Sequence, residues 1–395
     1  LNPSEAIMSS PIDRFLQDTI AASPQQRITF AEYMNAVLYH PQWGYYSRGQ
    51  GLGADFTTSA HLCADFGEML AEQFVEMWQI LGCPHPFTIA EMGAGQGIIA
   101  GDILNYCQRK YSHCFEAIDY RIIEKSTALK RQQHQRLSAL PIQWCEWDEI
   151  AEHSIVGCCF SNELVDAFPV HQIAIESGQL REVYVTVTTE NFVEVLGEPS
   201  TPQLAEYFEF VGIDVRQYAD GYRSEVNLAA LDWMTTVASR LQRGYILTID
   251  YGYAADRYYS PGRSQGTLQC YYQHQHHNNP YLYVGCQDLT AHVDFTALQY
   301  WGDRCGLKTM GFTQQALFLM ALGLGDRIST LGRDTRGEKT ATVQEITTIM
   351  QRRQVLQGLI DPMGVGRFGV LVQGKGLSAE EQGRSIRGLQ IPPLG

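Results

Sequence analysis

A glycine-rich turn joins a short apolar segment to an amphipathic one near residue 92. Residues 87–92 predict a strand, residues 98–106 predict a helix, and the turn between them reads Gly-Ala-Gly-Gln-Gly. Glycines at such a junction permit a tight backbone turn and let a ligand approach the main chain closely. We therefore expect a small-molecule site here, although similar turns also join strands and helices that bind nothing.

The spacing of this turn separates two classes of ligand. Dinucleotide sites have the pattern G-x-G-x-x-G, whereas Gly93, Gly95 and Gly97 give G-x-G-x-G, with Glu91 two residues ahead of the first glycine. A dinucleotide places a negative pyrophosphate over the helix N-terminus. S-adenosylmethionine instead carries an ammonium and a sulfonium, which an acid beside the turn stabilises. The turn therefore favours S-adenosylmethionine as the cofactor.

The next two predicted strands end in residues that suit the rest of this cofactor. Glu124 closes the strand at residues 120–124, where a carboxylate can accept hydrogen bonds from both ribose hydroxyls. Trp147 and Asp148 follow a third strand, at residues 142–145, and could hold the adenine ring and its amine. In a doubly wound sheet these ends lie at one edge, so we expect the side chains to share a site.

The loop after the fourth strand, at residues 155–161, is placed for the chemical step. It carries Asn162, Glu163, Asp166 and, at its end, His171. Methyl transfer from a sulfonium needs an oriented nucleophile and the removal of one proton. Paired carboxylates could grip a guanidinium and fix its attacking nitrogen. The alternative, that the acids cap a helix and the histidine begins a strand, stays open from these residues alone.

Four further histidines lie outside this loop, at position 292 and within residues 274–277. His292 precedes a predicted helix and is a candidate for proton handling at the acceptor, or for a role in loop structure. His274, His276 and His277 lie in a loop rich in Gln and Asn without nearby acids or thiols, so we predict no metal site. The tyrosines of residues 39–46 could line an acceptor channel, but aromatic side chains more often only pack.

Strand and helix signals alternate from residue 87 onward, which predicts an α/β fold with parallel strands, a Rossmann-like core. We expect a helical N-terminal cap at residues 1–83 and a core at residues 84–395. Into that core we place a hairpin and helical insertion at about residues 170–242 and a long loop at about residues 254–292. The aromatic, glycine-rich stretch before residue 57 predicts a structured cover over the site.

Composition excludes several classes of protein. The 395 residues carry a net charge of -14, which argues against nucleic-acid binding. No apolar stretch approaches the ~20 residues of a membrane span, so we expect no membrane insertion. Ten scattered cysteines without a signal-peptide pattern predict reduced thiols. A reducing compartment is therefore expected.

Several segments together resemble the MidA-like family of methyltransferases, which is associated with assembly of respiratory complex I. The specific ones are residues 161–171, which read SNELVDAFPVH, and residues 287–295, which read QDLTAHVDF. Further matches are residues 30–34, 38–41, 44–46, 53–56, 66–68, 250–252 and 266–268. The sequence departs from the family at Gly369, where a lysine is expected.

This resemblance implies a class I methyltransferase fold with a seven-stranded sheet and one antiparallel strand. It implies cofactor contacts from Glu91, the three glycines and Glu124, and an acceptor site bordered by Asn162, Glu163 and Asp166. The implied activity is arginine N-methylation of a complex I-type subunit. The implied compartment is the bacterial cytoplasm, or the mitochondrial matrix if a presequence has been removed. Two alternatives stay open, a small-molecule methyltransferase and an assembly chaperone that binds the cofactor without turnover. Oligomeric state and the degree of methylation are not predicted.

Overall fold

The computed structural model describes residues 10–48, 63–189, 191–273, 275–337 and 343–391. Its helices are α1 Pro11–Ala22, α2 Phe30–Tyr39, α3 Ala64–Ile80, α4 Ile98–Lys110, α5 Ser112–Ala117, α6 Thr127–Arg136, α7 Gln203–Val211, α8 Leu228–Arg240, α9 Ala255–Tyr258, α10 Phe295–Arg304, α11 Gln315–Ala321, α12 Leu324–Gly337, α13 Val343–Gly358 and α14 Ala379–Gly383. Its strands are β1 Ile28–Thr29, β2 Phe87–Met92, β3 Ile118–Ile123, β4 Ile142–Cys145, β5 Ile155–Asn162, β6 His171–Glu176, β7 Gln179–Val187, β8 Phe192–Gly197, β9 Arg223–Val226, β10 Leu241–Asp250, β11 Gly252–Tyr253, β12 Gln269–Tyr272, β13 Gln275–His277, β14 Asp288–Thr290, β15 Val293–Asp294, β16 Lys308–Gln314 and β17 Gly369–Lys375.

A seven-stranded sheet with the order β16-β17-β10-β5-β2-β3-β4 forms the centre of the fold. β17 runs antiparallel to both of its neighbours, and the other strands are parallel to one another. The expectation of seven strands with one antiparallel strand is confirmed. The chain leaves β2 toward β3 and β4 and returns to β5 on the other side, so the order reverses between β2 and β5. Ligands of α/β sheets bind at such a reversal.

Helices cover both faces of this sheet, and its central strands are accordingly buried along most of their length, as in β5 and β10. On one face α3 and α4 pack through residues such as Phe74 and Ile103. On the other face α8 and α10 pack through residues such as Met234 and Phe295. Helix α3 therefore packs on the main sheet, although it belongs to the segment at residues 1–83 that we expected to form a cap.

A second sheet, with the order β1-β7-β6-β9 and β8 on β7, occupies the expected insertion. The predicted hairpin at residues 170–187 is β6 and β7, which pair antiparallel. The N-terminal segment contributes β1, paired with β7, and the apolar faces of α1 and α2 pack against the same unit. The N-terminal helices and the insertion thus share one hydrophobic cluster beside the main sheet.

Residues 254–292, expected as a long loop, contain α9 and the three-stranded sheet β13-β12-β14. These strands have three or four residues each, too few for an alternating pattern to show in the sequence. The second part of the predicted cover, at residues 51–56 with the family segment 53–56, lies outside the described residues, as does His274. Within the described ranges we find no helix long and apolar enough to cross a membrane.

Candidate active site

A cavity of about 530 Å³ lies at the carboxyl ends of the central strands, beside the reversal between β2 and β5. Its volume is within the usual range for cofactor and substrate sites. The predicted site residues that line it are Glu91, Gly93, Gly95, Glu124, Asn162, Glu163, Asp166 and His292. Residues at the carboxyl ends of three parallel strands, β2, β3 and β5, therefore meet in one cavity, as expected for a doubly wound sheet.

The glycine turn forms the floor of this cavity. Gly93 and Gly95 have φ of 69° and 53°, a left-handed conformation that costs glycine little. A Cβ added to Gly95 would meet no atom within 4 Å, so this residue presents bare backbone to open space. Gly97 does not line the cavity. A Cβ there would lie 2.8 Å from Leu137 Cδ1, so its small size serves the packing of α4.

Glu91 is buried at the end of β2, and its Oε2 accepts a hydrogen bond of 2.8 Å from the hydroxyl of Tyr120. Burial raises the pKa of this carboxyl to about 8, and the nearby Glu124 carboxylate adds to the increase, while Tyr120 opposes it. A cationic ligand would reverse this effect, because an adjacent positive charge favours the ionised carboxylate. The site is therefore better suited to a cation than to a phosphate.

Glu124 is linked to the glycine turn through Gln133, a residue of α6 that our sequence reasoning missed. The Gln133 amide donates to the carbonyl oxygen of Gly95 at 2.8 Å and to Glu124 Oε2 at 3.3 Å. Its own oxygen accepts from Trp144 Nε1 at 2.9 Å. Gln133 is fully buried, so these bonds hold the turn and the carboxylate in one arrangement. Nothing in the polar sequence of α6 singles this glutamine out.

The loop that follows β5 is held by Asp250 at the end of β10. Asp250 Oδ2 lies within hydrogen-bonding distance of three successive backbone nitrogens, of Leu164 at 3.2 Å, Val165 at 2.9 Å and Asp166 at 3.4 Å. Its Oδ1 accepts from the nitrogen of Tyr251 at 2.9 Å. Asp250 is completely buried and does not line the cavity. In the sequence, Asp250 belongs to the family-like segment at residues 250–252, for which we predicted no role.

Glu163 and Asp166 project from this loop into the cavity. Glu163 has a φ of 53°, which is unfavourable for a residue with a side chain and is often found at functional sites. Its Oε1 accepts from Asn162 Nδ2 at 3.1 Å. Burial raises the pKa of Asp166 to about 6, against the effect of a hydrogen bond with the Tyr251 side chain. The side chains of Asn162 and Tyr251 thus help to hold the two acids in place.

Two tyrosines of the predicted aromatic stretch form the opposite wall. Tyr39 and Tyr46 stack with their ring centroids 5.4 Å apart. The Tyr39 hydroxyl donates to the carbonyl of Ala167 at 2.8 Å, and the Tyr46 hydroxyl donates to Asp288 Oδ1 at 2.7 Å. Asp288 therefore adds a third carboxylate to the acceptor side. Its only signal in the sequence was its place in the family-like segment at residues 287–295.

His292 lines the cavity between two aromatic rings. It lies edge-on to Tyr251 and stacks on Tyr253, each with ring centroids 5.1 Å apart. Its pKa is lowered to about 4, mainly by burial and to a smaller extent by the charges of Arg263 and Arg367. The ring is therefore neutral at neutral pH. It can contact an acceptor, but it is a weak base for the removal of a proton.

Besides Gly97, three predicted site residues do not line the cavity. Trp147 and Asp148 lie in a short turn after β4, where Trp147 packs against the apolar cluster under α8. His171 begins β6, and its Nδ1 lies 2.7 Å from the buried Glu182 Oε1. The histidine therefore fits the alternative that we left open, in which it begins a strand and stabilises the second sheet.

Comparisons with known proteins agree with this geometry. A family described as "Putative S-adenosyl-L-methionine-dependent methyltransferase" matches residues 69–313. The chain is 29% identical to "Protein arginine methyltransferase NDUFAF7, mitochondrial" of Mus musculus, over 87% of this chain and 80% of that protein. It is also 29% identical to the Drosophila melanogaster homolog, over 75% of this chain and 71% of the relative.

A solved structure extends the similarity to nearly the whole chain. A Burkholderia thailandensis protein, crystallised with S-adenosyl-homocysteine bound, matches with a TM-score of 0.80 and 28% identity, over 97% of this chain and 96% of that one. The order of the main sheet is that of the class I methyltransferase fold. The chain therefore belongs to the MidA-like family of S-adenosylmethionine-dependent methyltransferases.

Proposed function

We propose that this methyltransferase is a protein arginine N-methyltransferase. The observation that carries the proposal is that Glu163 and Asp166 line the same cavity as the glycine turn and Glu124. One end of the cavity thus suits the cofactor, and the other offers a pair of carboxylates. A guanidinium is the protein side chain that such a pair binds best, because two parallel hydrogen bonds match its planar shape.

The residues at the carboxyl ends of β2 and β3 fit the cofactor. The bare backbone at Gly95 leaves room for close approach, and Glu124, held by Gln133, offers oxygens to the ribose hydroxyls. Glu91 stabilises the cofactor's positive charge once it has lost its proton. S-adenosylmethionine supplies an electrophilic methyl group on a sulfonium. The remaining requirements fall on the protein, which must orient the acceptor nitrogen and accept its proton.

Arginine is a poor nucleophile because its positive charge is delocalised over three nitrogens, with a pKa above ~12. Carboxylates on one edge of the guanidinium localise the charge away from the attacking nitrogen. We assign this role to Glu163 and Asp166, whose loop is fixed by the Asp250 hydrogen bonds. The stacked rings of Tyr39 and Tyr46 exclude water, which strengthens these ionic contacts.

Transfer of the methyl group leaves the product nitrogen with a proton to lose. Asp166 is our candidate acceptor, because its Oδ1 is buried with no hydrogen-bond partner among the described residues. Its pKa of about 6 makes it a stronger base than an ordinary aspartate while it stays largely ionised at neutral pH. Neutral His292 is left to pack beside the acceptor.

For the acceptor protein we propose a subunit of a respiratory complex I-type assembly. Support comes from the family resemblance and from relatives named mitochondrial protein arginine methyltransferases. The enzyme would then act in the compartment where those subunits assemble, the bacterial cytoplasm or the mitochondrial matrix.

The test is methyl transfer to host membranes and extracts with labelled S-adenosylmethionine, followed by amino-acid analysis of the labelled protein. We expect methylarginine. Glu163→Gln and Asp166→Asn should lower transfer roughly ten- to a hundredfold each, because each loses a charged hydrogen-bond acceptor. Both should retain affinity for S-adenosyl-homocysteine. Asp232→Asn, at an exposed position of α8, is the matched control and should match the parent.

Label in a small molecule, or near-parental transfer by both variants, would contradict the arginine proposal. Cofactor binding without any transfer would favour the assembly chaperone instead.

A further inference from the structure

Among the described residues that line the cavity, the lysine and arginine side chains are those of Lys125 and Arg367. Lys125 directly follows Glu124 on the cofactor side, whereas Arg367 lies on the acceptor side. It is exposed, lies just before β17 and lines the cavity together with Asp166 and Asp288. Among the described residues its guanidinium makes neither an ion pair nor a hydrogen bond, and only its backbone nitrogen has a partner, the carbonyl of Gly364. An arginine that serves only the fold commonly has such partners, so this side chain is available to a ligand.

Two more arginines contact an aromatic ring beside His292, although they do not line the cavity themselves. The guanidinium carbons of Arg257 and Arg263 lie 4.4 and 4.2 Å from the ring centroid of Tyr253, which stacks on His292. Within the described ranges neither side chain has a carboxylate partner, although Arg263 donates to the carbonyls of Arg257 and Tyr258. The rim beside His292 is therefore positive, in a protein whose net charge is -14.

We infer that Arg367, with Arg257 and Arg263 beside it, forms an anion site that binds a carboxylate of the acceptor protein close to the arginine to be methylated. The inference rests on the proposed function and deepens it. The acids of the cavity take the cationic side chain, and the arginines of the rim take an acidic neighbour in the acceptor sequence. Opposite charges at fixed separation set the register of a bound peptide.

The carboxylate belongs to the acceptor rather than to the cofactor for a geometric reason. Arg367 precedes β17, and β10 and β5 separate that strand from β2, which leads into the glycine turn. Three strand spacings correspond to roughly 14 Å. The cofactor's amino-acid part is expected beside Glu91 and the turn, on the far side of the acceptor loop. An acceptor peptide that reaches Glu163 and Asp166 passes the rim.

The experiment uses full-length protein and peptides with one central arginine whose flanking residues are Asp, Asn or Lys. Binding to the enzyme saturated with S-adenosyl-homocysteine is measured by fluorescence anisotropy, and transfer is measured with labelled cofactor. The parent should bind the Asp peptide roughly three- to tenfold more tightly than the Asn peptide, with a lower KM and a similar kcat. Arg367→Ala should abolish that preference, and Arg367→Glu should invert it toward the Lys peptide.

Arg384→Glu is the matched control. Arg384 pairs with Glu380 on the surface beyond the carboxyl end of β17, which lies at the opposite edge of the sheet because β17 is antiparallel. This variant carries the same change of charge and should keep the parent's preference. Affinity for S-adenosyl-homocysteine should be unchanged in every variant.

The two proposals fail in different ways. Equal affinity of the parent for the Asp and Asn peptides would overturn the anion site. So would an Arg367→Ala variant whose affinity falls by the same factor for all three peptides. Weaker S-adenosyl-homocysteine binding in Arg367→Ala would also overturn it, by assigning the carboxylate to the cofactor. Peptides that bind with the expected preference but are not methylated would contradict the proposed function and support the anion site.

Discussion

The Oδ2 atom of Asp250 lies 2.9 Å from the backbone nitrogen of Val165 and accepts its hydrogen bond. The same oxygen accepts from the flanking nitrogens of Leu164 and Asp166, so one side chain from β10 organises the loop that follows β5. Burial raises the pKa of Asp250 well above its usual value, and the nearby carboxylates of Asp166 and Glu163 add to this. The loop geometry thus depends on a carboxyl that is itself electrostatically unfavourable.

We predict that Asp250→Ala disrupts this loop. Backbone N–H groups would lose a buried acceptor, and the free energy of unfolding should fall by about 2–4 kcal/mol. Urea denaturation measures this loss. Asp250→Asn keeps one oxygen for the loop but turns an N–H group toward the Tyr251 nitrogen, so it should fold better and still transfer methyl slowly. Parental transfer by both variants would show that the loop is positioned by other contacts.

The main sheet and the floor of the cavity could be predicted from the sequence, because both depend on local patterns. Apolar runs gave β2 and β5, and glycine spacing with a nearby acid gave the turn between β2 and α4. Glu124 was found because parallel strands bring their ends to one edge. For the same reason Trp147 and Asp148 were expected there, but a short turn takes them past the edge and out of the cavity.

The rest of the site depends on long-range contacts that leave no local pattern. Tyr46 meets Asp288 across 242 positions of the chain, and Gln133 reaches Gly95 across 38. Arg367 precedes β17, and the antiparallel direction of this strand brings the residue to the cavity side. Such partners become visible only when the fold has brought distant segments together.

We predict that Gly95→Val abolishes cofactor binding while the protein stays folded. The left-handed conformation should cost about 1–3 kcal/mol with a β-branched side chain, and that side chain would fill space at the cavity floor. Gly178→Val is a matched control, because Gly178 has a φ of 70°, a similarly open Cβ position and a place in the β6–β7 hairpin. Isothermal titration with S-adenosyl-homocysteine should separate them. Equal affinity of both variants would remove the glycine turn from the binding site.

We predict that cofactor affinity rises with pH through the range set by Glu91. Its pKa of about 8 in the free protein means that binding a cation expels a proton below that pH. Affinity for S-adenosylmethionine should therefore increase by up to about tenfold per pH unit and level off near pH 8. Glu91→Gln should show weaker binding without this slope. If the affinity of Glu91→Gln rises with pH as steeply as that of the parent, the pH dependence comes from another group.

The same shift predicts the pH dependence of stability without the cofactor. A carboxyl whose pKa is raised by folding adds stability below its unfolded value of 4.5, and this contribution is lost as the pH rises through about 8. The cofactor-free protein should therefore melt at progressively lower temperature over this interval. The melting temperature of the Glu91→Gln variant should fall less over the same pH interval. Thermal unfolding at a series of pH values measures the difference.

Asp166 should set the acidic limb of the activity profile. Its pKa of about 6 arises mainly from burial, and the hydrogen bond with Tyr251 holds it from rising further. Protonation removes the negative charge that we assign to gripping the guanidinium and to accepting its proton. The kcat/KM for an arginine-bearing acceptor should thus fall about tenfold for each pH unit below 6, because kcat/KM reports ionisation of the free enzyme.

Two variants test this assignment. Tyr251→Phe removes the opposing hydrogen bond, so the pKa of Asp166 should rise and the acidic limb should move to higher pH. Asp166→Asn should leave a low residual activity without that limb. Cofactor saturation must be maintained at each pH, since Glu91 titrates in a neighbouring range. An acidic limb that survives in Asp166→Asn would place the titrating group elsewhere, with Glu163 as the next carboxylate to test.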